Sequence, residues 1–210
     1  FKCIKLKIGA IEWEEELRLI QTIRSRFSKD TLELRVDANG AWTPQEAEEK
    51  MAQLAQYDLH SIEQPIAPYQ WKEMAHLCRL QDEAKEQGKK HLPIALDEEL
   101  IGVNTLEEKR LLLDTIRPQY IVIKPTLHGG MTGSMEWTSE ANKRGIGSWM
   151  TSALESNIGL RNVALLAARV YGPNITFPQG LGTGLLYTDN IEMDLELRGS
   201  KMWRALVEEV

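Results

Sequence analysis

The sequence lacks the features that mark several classes of protein. No apolar run approaches the ~20 residues that a membrane-spanning helix needs, and no signal-peptide pattern is present. Basic residues form no long run, and the 210-residue chain has a formal net charge of −6. This charge argues against a nucleic-acid or anionic-membrane partner. We therefore predict one soluble domain, large enough to bury a sizeable core.

Cysteine is also scarce. Cys3 and Cys78 are the only two, and their spacing fits no metal-binding pattern. We predict two reduced core thiols in a cytoplasmic protein. No Pro- or Ser-rich linker divides the chain, but it opens on a strand-like run, Phe1-Lys2-Cys3-Ile4, without an initiator Met. This opening predicts that the chain is the back part of a longer polypeptide.

What the sequence does contain is a regular alternation of strand-like and helix-like segments. Such an alternation predicts right-handed βα units and a parallel sheet. A closed (β/α)₈ TIM barrel needs eight strands, and seven are visible, so we predict an incomplete α/β barrel whose first strand precedes Phe1. The predicted strands are 2–8, 32–37, 61–63, 92–96, 120–124, 147–150 and 175–177. The predicted helices lie within 13–27, 43–57, 71–84, 105–114, 132–144 and 157–170.

Five ionisable residues end five successive predicted strands: Lys7, Asp37, Glu63, Asp97 and Lys124. Side chains alternate between the two faces of a strand, and in each of these strands the bulky aliphatic residues fall on the face opposite the charge. In a barrel the charged face points inward, and strand ends gather at one rim. We therefore expect all five to line one pocket.

Three of the five, Asp37, Glu63 and Asp97, are carboxylates from adjacent strands. Their mutual repulsion would be severe without a cation. Hard oxygen ligands of this kind suit Mg²⁺, which usually keeps water or substrate in its remaining positions. The sequence therefore predicts a site for Mg²⁺ or Mn²⁺.

The lysines flank this predicted site. A lysine that is partly desolvated near other cations can be tuned to a pKa of ~7–8 and then act as a base. Lys7 and Lys124 are our candidate catalytic bases, one on either side of the metal. Lys5 shares the face of Lys7 one layer deeper. We expect Lys5 to pair with a carboxylate and, by repulsion, to help Lys7 lose its proton.

In their order, these motifs resemble those of the enolase superfamily, muconate-lactonizing-enzyme subgroup. Separations of 26, 34 and 27 residues between the last four charged positions fit one βα unit a step. The resemblance implies that residues 1–210 are a partial C-terminal barrel domain, without the N-terminal α+β capping domain of such enzymes. The motifs that carry it are Lys5-Leu6-Lys7, Asp37-Ala38-Asn39-Gly40, Glu63-Gln64-Pro65, Asp97-Glu98 and Lys124-Pro125.

Within that subgroup, segments 124–130, 151–160 and 179–184 most resemble those of the o-succinylbenzoate synthases. These lyases of menaquinone biosynthesis dehydrate 2-succinyl-6-hydroxy-2,4-cyclohexadiene-1-carboxylate (SHCHC). The resemblance implies that Lys7 removes the proton beside the ring carboxylate and returns it to the departing hydroxyl on the same face. Lys124 would stabilise the enediolate from the other face.

Five further residues are our candidates for substrate contacts: Asn39, Ser152, Glu155, Ser156 and Gly182. Ser152, Glu155 and Ser156 precede an apolar helix that starts near Asn157, whose exposed N–H groups could hold the carboxylate of the succinyl tail. The alternative is a plain capping box in which Ser152 pairs with Glu155. The glycines near 182 either let backbone approach a ligand or merely turn the chain.

Two other functions stay open at this point. A racemase or epimerase of N-acylamino acids or dipeptides would use Lys7 and Lys124 on opposite faces of one carbon, and it begins with the same proton abstraction. A non-enzymatic barrel used as a binding module is the second, although all five charged positions are retained. The sequence leaves open the oligomeric state and the choice between Mg²⁺ and Mn²⁺.

Overall fold

A computed structural model describes residues 1–172, 174–182 and 187–204. Its main sheet has six parallel strands that follow one another in chain order and curl into a half-barrel, with helices between them. The strands are β1 (Cys3–Lys7), β2 (Glu33–Asp37), β3 (Ser61–Glu63), β4 (Ile94–Leu96), β5 (Tyr120–Ile123) and β6 (Gly147–Met150). The helices are α1 (Trp13–Arg26), α2 (Pro44–Leu54), α3 (Trp71–Glu86), α4 (Leu106–Ile116), α5 (Gly130–Lys143) and α6 (Asn157–Tyr171). The prediction of barrel-type βα units is confirmed.

The core lies between the sheet and the helices. Aliphatic residues of the strands, among them Leu34, Val36, Ile62, Ile94 and Ile121, are fully buried and belong to one apolar cluster with the helices. Burying each such side chain contributes roughly 1.5–3 kcal/mol. Because every second residue of a strand faces the helices, the intervening charged residues must face the inside of the curl. In β2 to β5 this burial agrees with the predicted faces, but Ile4 of β1, predicted on the packed face, is 41% exposed.

Two helix starts show why the βα units begin where they do. At α2, Thr43 Oγ1 accepts a hydrogen bond from the N–H of Glu46, and the Glu46 carboxylate accepts one from the N–H of Thr43. Thr105 and Glu108 make the same reciprocal pair at α4. Each pair satisfies backbone donors that the first helical turn leaves free.

The predicted strand at 175–177 is wrong. These residues form no strand; the chain meets β6 further on, where Gly180 donates its N–H to Met150 O at 2.9 Å and its carbonyl accepts from Ser152 N at 2.9 Å. The side-chain oxygen of Gln179 accepts from Met150 N, taking the bond that a strand carbonyl would take. A Cβ at Gly180 would lie 2.2 Å from Thr151 Oγ1, so this approach requires glycine.

A second sheet lies near the end of the described chain. It is a two-stranded antiparallel hairpin, β7 (Leu195–Arg198) and β8 (Lys201–Arg204), which the sequence analysis did not predict. Arg161 of α6 donates to both carboxylate oxygens of Asp194, at 2.6 and 2.9 Å, and this pair ties the hairpin to the barrel. Both cysteine thiols are free, but only Cys78 is buried. Cys3 is half-buried on β1, so its prediction as a core residue is wrong. Among the described helices, none has the length and apolarity to cross a membrane.

Candidate active site

Three carboxylates stand side by side at the carboxyl ends of β2, β3 and β4. Asp37 lies opposite Lys7 and Glu63 in the register of the parallel strands. The side chains of Asp37, Glu63 and Asp97 are 0–3% exposed, and Glu63 interacts with both of the others. The structure thus brings the three predicted ligands together at one end of the sheet.

Lys5 reaches this row of carboxylates from β1. Its Nζ donates to Asp37 Oδ2 at 2.8 Å and to the two oxygens of Glu63 at 3.0 and 2.8 Å. Burial disfavours its charged form, but the carboxylates of Glu63 and Asp37 outweigh burial and raise the pKa of Lys5 above its ordinary value. Lys5 therefore stays an ammonium group paired with carboxylates, as expected. Its effect on Lys7 stays a prediction.

Lys7 lies at the β1 end of the row, and its side chain is 60% exposed. Its Nζ donates to Asp37 Oδ2 at 2.5 Å and to Asn39 Oδ1 at 2.6 Å. Asn39 in turn donates from Nδ2 to Glu98 Oε1 at 2.7 Å, which fixes the amide with its oxygen toward Lys7. Asn39 is thus a neighbour of the candidate base, and Glu98 orients Asn39.

Lys124 lies at the other end of the row, directly after β5. Its Nζ donates to Asp97 Oδ2, and its side chain is 16% exposed. Lys7 and Lys124 therefore approach the carboxylates from opposite ends, the first from the exposed rim and the second from a more enclosed position.

The three carboxylates repel one another even though three lysines contact them. Burial raises the pKa of Glu63 well above its ordinary value, and the charges of Asp37 and Asp97 add to the rise despite the opposing charge of Lys5. Within the described residues, Asp97 Oδ1 and Glu98 Oε2 are buried without a hydrogen-bond partner. A buried carboxylate oxygen without a partner is a group that a cation would satisfy.

The ammonium groups of three lysines, however, donate hydrogen bonds directly to these carboxylates. In residues 1–172, 174–182 and 187–204, no three His, Cys, Asp or Glu side chains are placed so that they could hold a metal ion as they stand. The charge of the row and the nature of its oxygen donors fit a divalent cation. Binding one requires the ammonium groups of Lys5, Lys7 and Lys124 to withdraw from the oxygens that they now contact.

His128 holds the backbone of Lys124 in place. Its Nδ1 accepts a hydrogen bond from the N–H of Lys124 at 3.0 Å, and the ring is 1% exposed. Burial lowers the pKa of His128 to about 4. The imidazole is therefore neutral at pH 7, with its proton on Nε2.

This burial predicts a pH dependence of stability. Because the pKa of His128 is about 4 when folded and 6.5 when exposed, the unfolded chain binds a proton first, and stability falls from pH 6.5 toward pH 4. We expect this group to cost on the order of 2 kcal/mol at pH 5 relative to pH 7. Chemical denaturation at both pH values measures it. His128→Asn keeps an acceptor for Lys124, so a variant that loses as much stability as wild type would contradict this assignment.

The loop after β6 contradicts one of its two expected roles, the capping box. Glu155 accepts hydrogen bonds from Ser152 Oγ, from Ala153 N at 2.8 Å and from Thr126 Oγ1. Partial burial raises the pKa of Glu155, but these bonds outweigh it and lower the pKa below its ordinary value. Helix α6 begins only at Asn157, so the predicted capping box of Ser152 and Glu155 is wrong: the pair forms a turn before the helix and ties it to the loop after β5.

Ser156 and Gly182 complete the predicted set. Ser156 occupies the N-cap of α6, and its side chain makes no capping hydrogen bond, so the first N–H groups of the helix are not satisfied by that hydroxyl. Gly182 is exposed, with no neighbouring atom within 4 Å of the position of a Cβ. Thr183 and Gly184, the rest of that glycine motif, lie outside the described residues.

This arrangement of strand ends agrees with the comparison to protein families. Residues 1–196 match the enolase C-terminal domain-like family, also called MR_MLE_C. The chain belongs to this family. The TIM-barrel architecture of the enolase superfamily C-terminal domain therefore applies to it, and the predicted resemblance is confirmed.

Individual relatives in the enolase superfamily are also similar over nearly the whole chain. An o-succinylbenzoate synthase of Desulfotalea psychrophila is 50% identical over 95% of this chain and 50% of its own length. The crystal structure of MenC from Desulfotalea psychrophila LSv54 superposes with a TM-score of 0.84 at 47% identity, over 96% of this chain and 52% of that one. An N-succinylamino acid racemase of Thermus thermophilus is 30% identical over 96% of this chain and 50% of its length. The chain thus spans about half the length of these relatives.

Sequence reasoning missed several residues of the site. Glu98 was quoted only as part of a motif, because strand parity says nothing about residues beyond the end of β4. Gln64, which is buried, was likewise quoted only within a motif, and the buried Glu99 was not singled out at all. Their position in the sequence could have indicated them, because each lies one or two residues from a predicted metal ligand.

Proposed function

We propose that this protein catalyses the metal-dependent dehydration of SHCHC to o-succinylbenzoate, a step of menaquinone biosynthesis in the cytoplasm. One observation carries the proposal: two lysines contact the opposite ends of a row of three buried carboxylates, in a family member half-identical to an o-succinylbenzoate synthase. The substrate is a small carboxylic acid.

Asp37, Glu63 and Asp97 would hold the divalent cation, Mg²⁺ or Mn²⁺. Their mutual repulsion and the unpaired Asp97 Oδ1 support this assignment. When bound, the cation supplies positive charge against the negative charge that develops on the substrate carboxylate.

Lys7 would take the proton from the carbon beside that carboxylate. It is the more exposed of the two lysines and therefore the more accessible from the mouth. The hydrogen bond from its Nζ to Asn39 Oδ1 supports a fixed position for the amine. The same amine would then return the proton to the departing hydroxyl, which requires loss of both groups from one face of the ring.

Lys124 would remain protonated on the opposite side. Its ammonium group would stabilise negative charge on the substrate without moving a proton. Its enclosure and the backbone bond to His128 support a fixed cation at this position.

The succinyl carboxylate would bind at the start of α6. The N–H groups at a helix N-terminus attract anions, and the Ser156 hydroxyl does not cap them. Ser152 and Glu155 would shape this loop from behind, and Gly182 is exposed and leaves space for a ligand to approach.

A racemase of N-succinylamino acids is the second candidate. The lysines at the two ends of the carboxylate row favour it, because racemisation needs a base on each face of one carbon. The 30% identity to an N-succinylamino acid racemase also favours it.

A substrate panel tests these alternatives. SHCHC, N-succinylamino acids and dipeptides are offered to the protein with Mg²⁺, and again after treatment with EDTA. We expect turnover of SHCHC to exceed that of the amino-acid derivatives and to disappear with chelator, because the carboxylates then lose the cation. Preferential racemisation would select the second candidate, and binding without turnover of any substrate would contradict both.

A further inference from the structure

Gln64 occupies an unusual position beside the carboxylate row. It follows Glu63 directly, its side chain is completely buried, and its backbone has a positive φ of 40°. This conformation is strained for any residue other than glycine and persists only where surrounding contacts impose it.

The side-chain amide of Gln64 bridges the ends of β3 and β4. Its Oε1 accepts from the N–H groups of Asp97 and Glu99, both at 3.3 Å. Its Nε2 donates to Ile66 O at 3.0 Å and to Glu99 Oε2 at 3.2 Å. Both donors of the amide and both acceptor positions are therefore used.

The backbone of Gln64 extends the same connection in two directions. Its N–H donates to Ala95 O at 2.9 Å, and its carbonyl accepts from Gly40 N at 2.7 Å. One residue thus contacts the chain next to each of the three carboxylates: the loop after Asp37, Glu63 itself, and the turn that begins at Asp97.

The hydrogen-bond partners of the Gln64 amide determine which way round it lies. The Glu99 carboxylate is 1% exposed and also accepts from Tyr69 N at 2.8 Å. The backbone N–H groups of Asp97 and Glu99 can only donate, so the oxygen of the Gln64 amide must face them. The Nε2 of the amide then faces Glu99 Oε2.

We propose that Gln64 and Glu99 are positioning residues of the metal site, which set the separation between the carboxylates of Glu63 and Asp97. This inference rests on the proposed metal-dependent function. Mg²⁺ demands near-ideal octahedral geometry at ~2.0–2.1 Å, so small shifts between two ligands weaken binding. Gln64 and Glu99 contact the ligand-bearing backbone and not the cation.

The first test is Gln64→Met, which preserves size and removes all four side-chain hydrogen bonds. We expect Mg²⁺ binding to weaken by about 10- to 100-fold, as for outer-shell partners of other metal sites. Isothermal titration of the purified protein with MgCl₂ measures it without substrate. Thermal unfolding in EDTA is measured alongside.

Gln119 offers a matched control at the other end of β4. Its Oε1 accepts from Ile94 N at 2.9 Å, and its Nε2 donates to Cys78 O at 3.2 Å and to Asp82 at 2.9 Å. Gln119→Met removes a similar set of bonds far from the carboxylates. We expect it to lower the unfolding temperature and leave the affinity for Mg²⁺ unchanged.

Exchanging the amide of Gln64 with the carboxylate of Glu99 separates the effect of geometry on Mg²⁺ binding from the effect of charge. Gln64→Glu turns a carboxylate toward Glu99, and the two repel. Added negative charge by itself would tighten cation binding, so weaker binding in this variant reports geometry. In the double variant Gln64→Glu, Glu99→Gln the donor and acceptor change places, and total charge equals that of wild type. We expect it to recover part of the affinity that Gln64→Glu loses, because Ile66 O remains without its donor.

The results separate this inference from the function on which it rests. Wild-type affinity in Gln64→Met, or no recovery in the double variant, overturns the positioning role while the metal-dependent function stands. Absence of Mg²⁺ binding in wild type overturns both. Weakened binding in Gln64→Met, unchanged binding in Gln119→Met and recovery in the double variant support the inference.

Discussion

Replacing Lys7 with alanine is expected to lower the turnover of SHCHC by about 10²- to 10⁴-fold, the usual contribution of a positioned acid–base group. The amine of Lys7 is our candidate for the base that removes the proton and returns it. Affinity for Mg²⁺ is expected to stay the same or rise, because Lys7 Nζ now lies 2.5 Å from Asp37 Oδ2 and competes for that oxygen. Turnover and Mg²⁺ titration are measured on the same preparation.

Two control variants identify the cause of the expected loss of SHCHC turnover. Lys7→Arg keeps a positive charge but cannot lose its proton, so we expect it to be as inactive as the alanine variant. Lys29→Ala removes an exposed lysine outside the site and should leave the rate unchanged. An unchanged rate in Lys7→Ala would rule out the mechanism, and an active arginine variant would show that only the charge matters.

Replacing Glu63 with glutamine is expected to weaken Mg²⁺ binding by more than about 100-fold, beyond the range found for outer-shell partners. Glu63 stands between Asp37 and Asp97 and is the central carboxylate of the proposed site. Its replacement removes one negative charge and keeps the shape of the side chain. We expect Mg²⁺ binding, measured by titration with MgCl₂, and the turnover of SHCHC to decrease together.

Without metal, the Glu63→Gln variant should be at least as stable as the wild-type protein. The pKa of Glu63 is raised in the folded state, so without metal the ionised carboxylate destabilises the protein at pH values above the ordinary value of 4.5. In EDTA at pH 7, Glu63→Gln should therefore unfold at a temperature no lower than wild type.

Glu140→Gln provides the contrasting control. Hydrogen bonds from Arg110, Lys143 and Arg144 lower the pKa of Glu140 to about 2. We expect this variant to lose stability and keep its affinity for Mg²⁺. A Glu63→Gln protein that binds Mg²⁺ normally would contradict the proposed ligand set.

The row of charged residues could be predicted because strand geometry is local. A period of two places Asp37 opposite Val36, and the aliphatic neighbour identifies which face is buried. Parallel strands in chain order then bring Asp37, Glu63 and Asp97 to the same end. No long-range information is needed beyond the alternation of strands and helices.

The wrong structural predictions lie where a side chain makes a hydrogen bond that local spacing assigns to another group. The segment 175–177 looks like a strand, but Gln179 takes the hydrogen bond of Met150 N, and the pairing moves to Gly180. Ser152 and Glu155 have capping-box spacing, yet Glu155 also accepts from Thr126 on another loop, and α6 starts later. Neither partner is visible from local spacing.

By itself the sequence determined the parallel α/β architecture, the buried and charged faces of β2 to β5, and the order of lysines and carboxylates along the rim. These follow from periodicities that each segment carries alone. Only the tertiary structure decided which atoms meet: Lys5 between Asp37 and Glu63, the neutral His128 beneath Lys124, and the amide of Gln64 across to Glu99. Such contacts join residues far apart in the chain, so their geometry depends on how the strands curl and pack together.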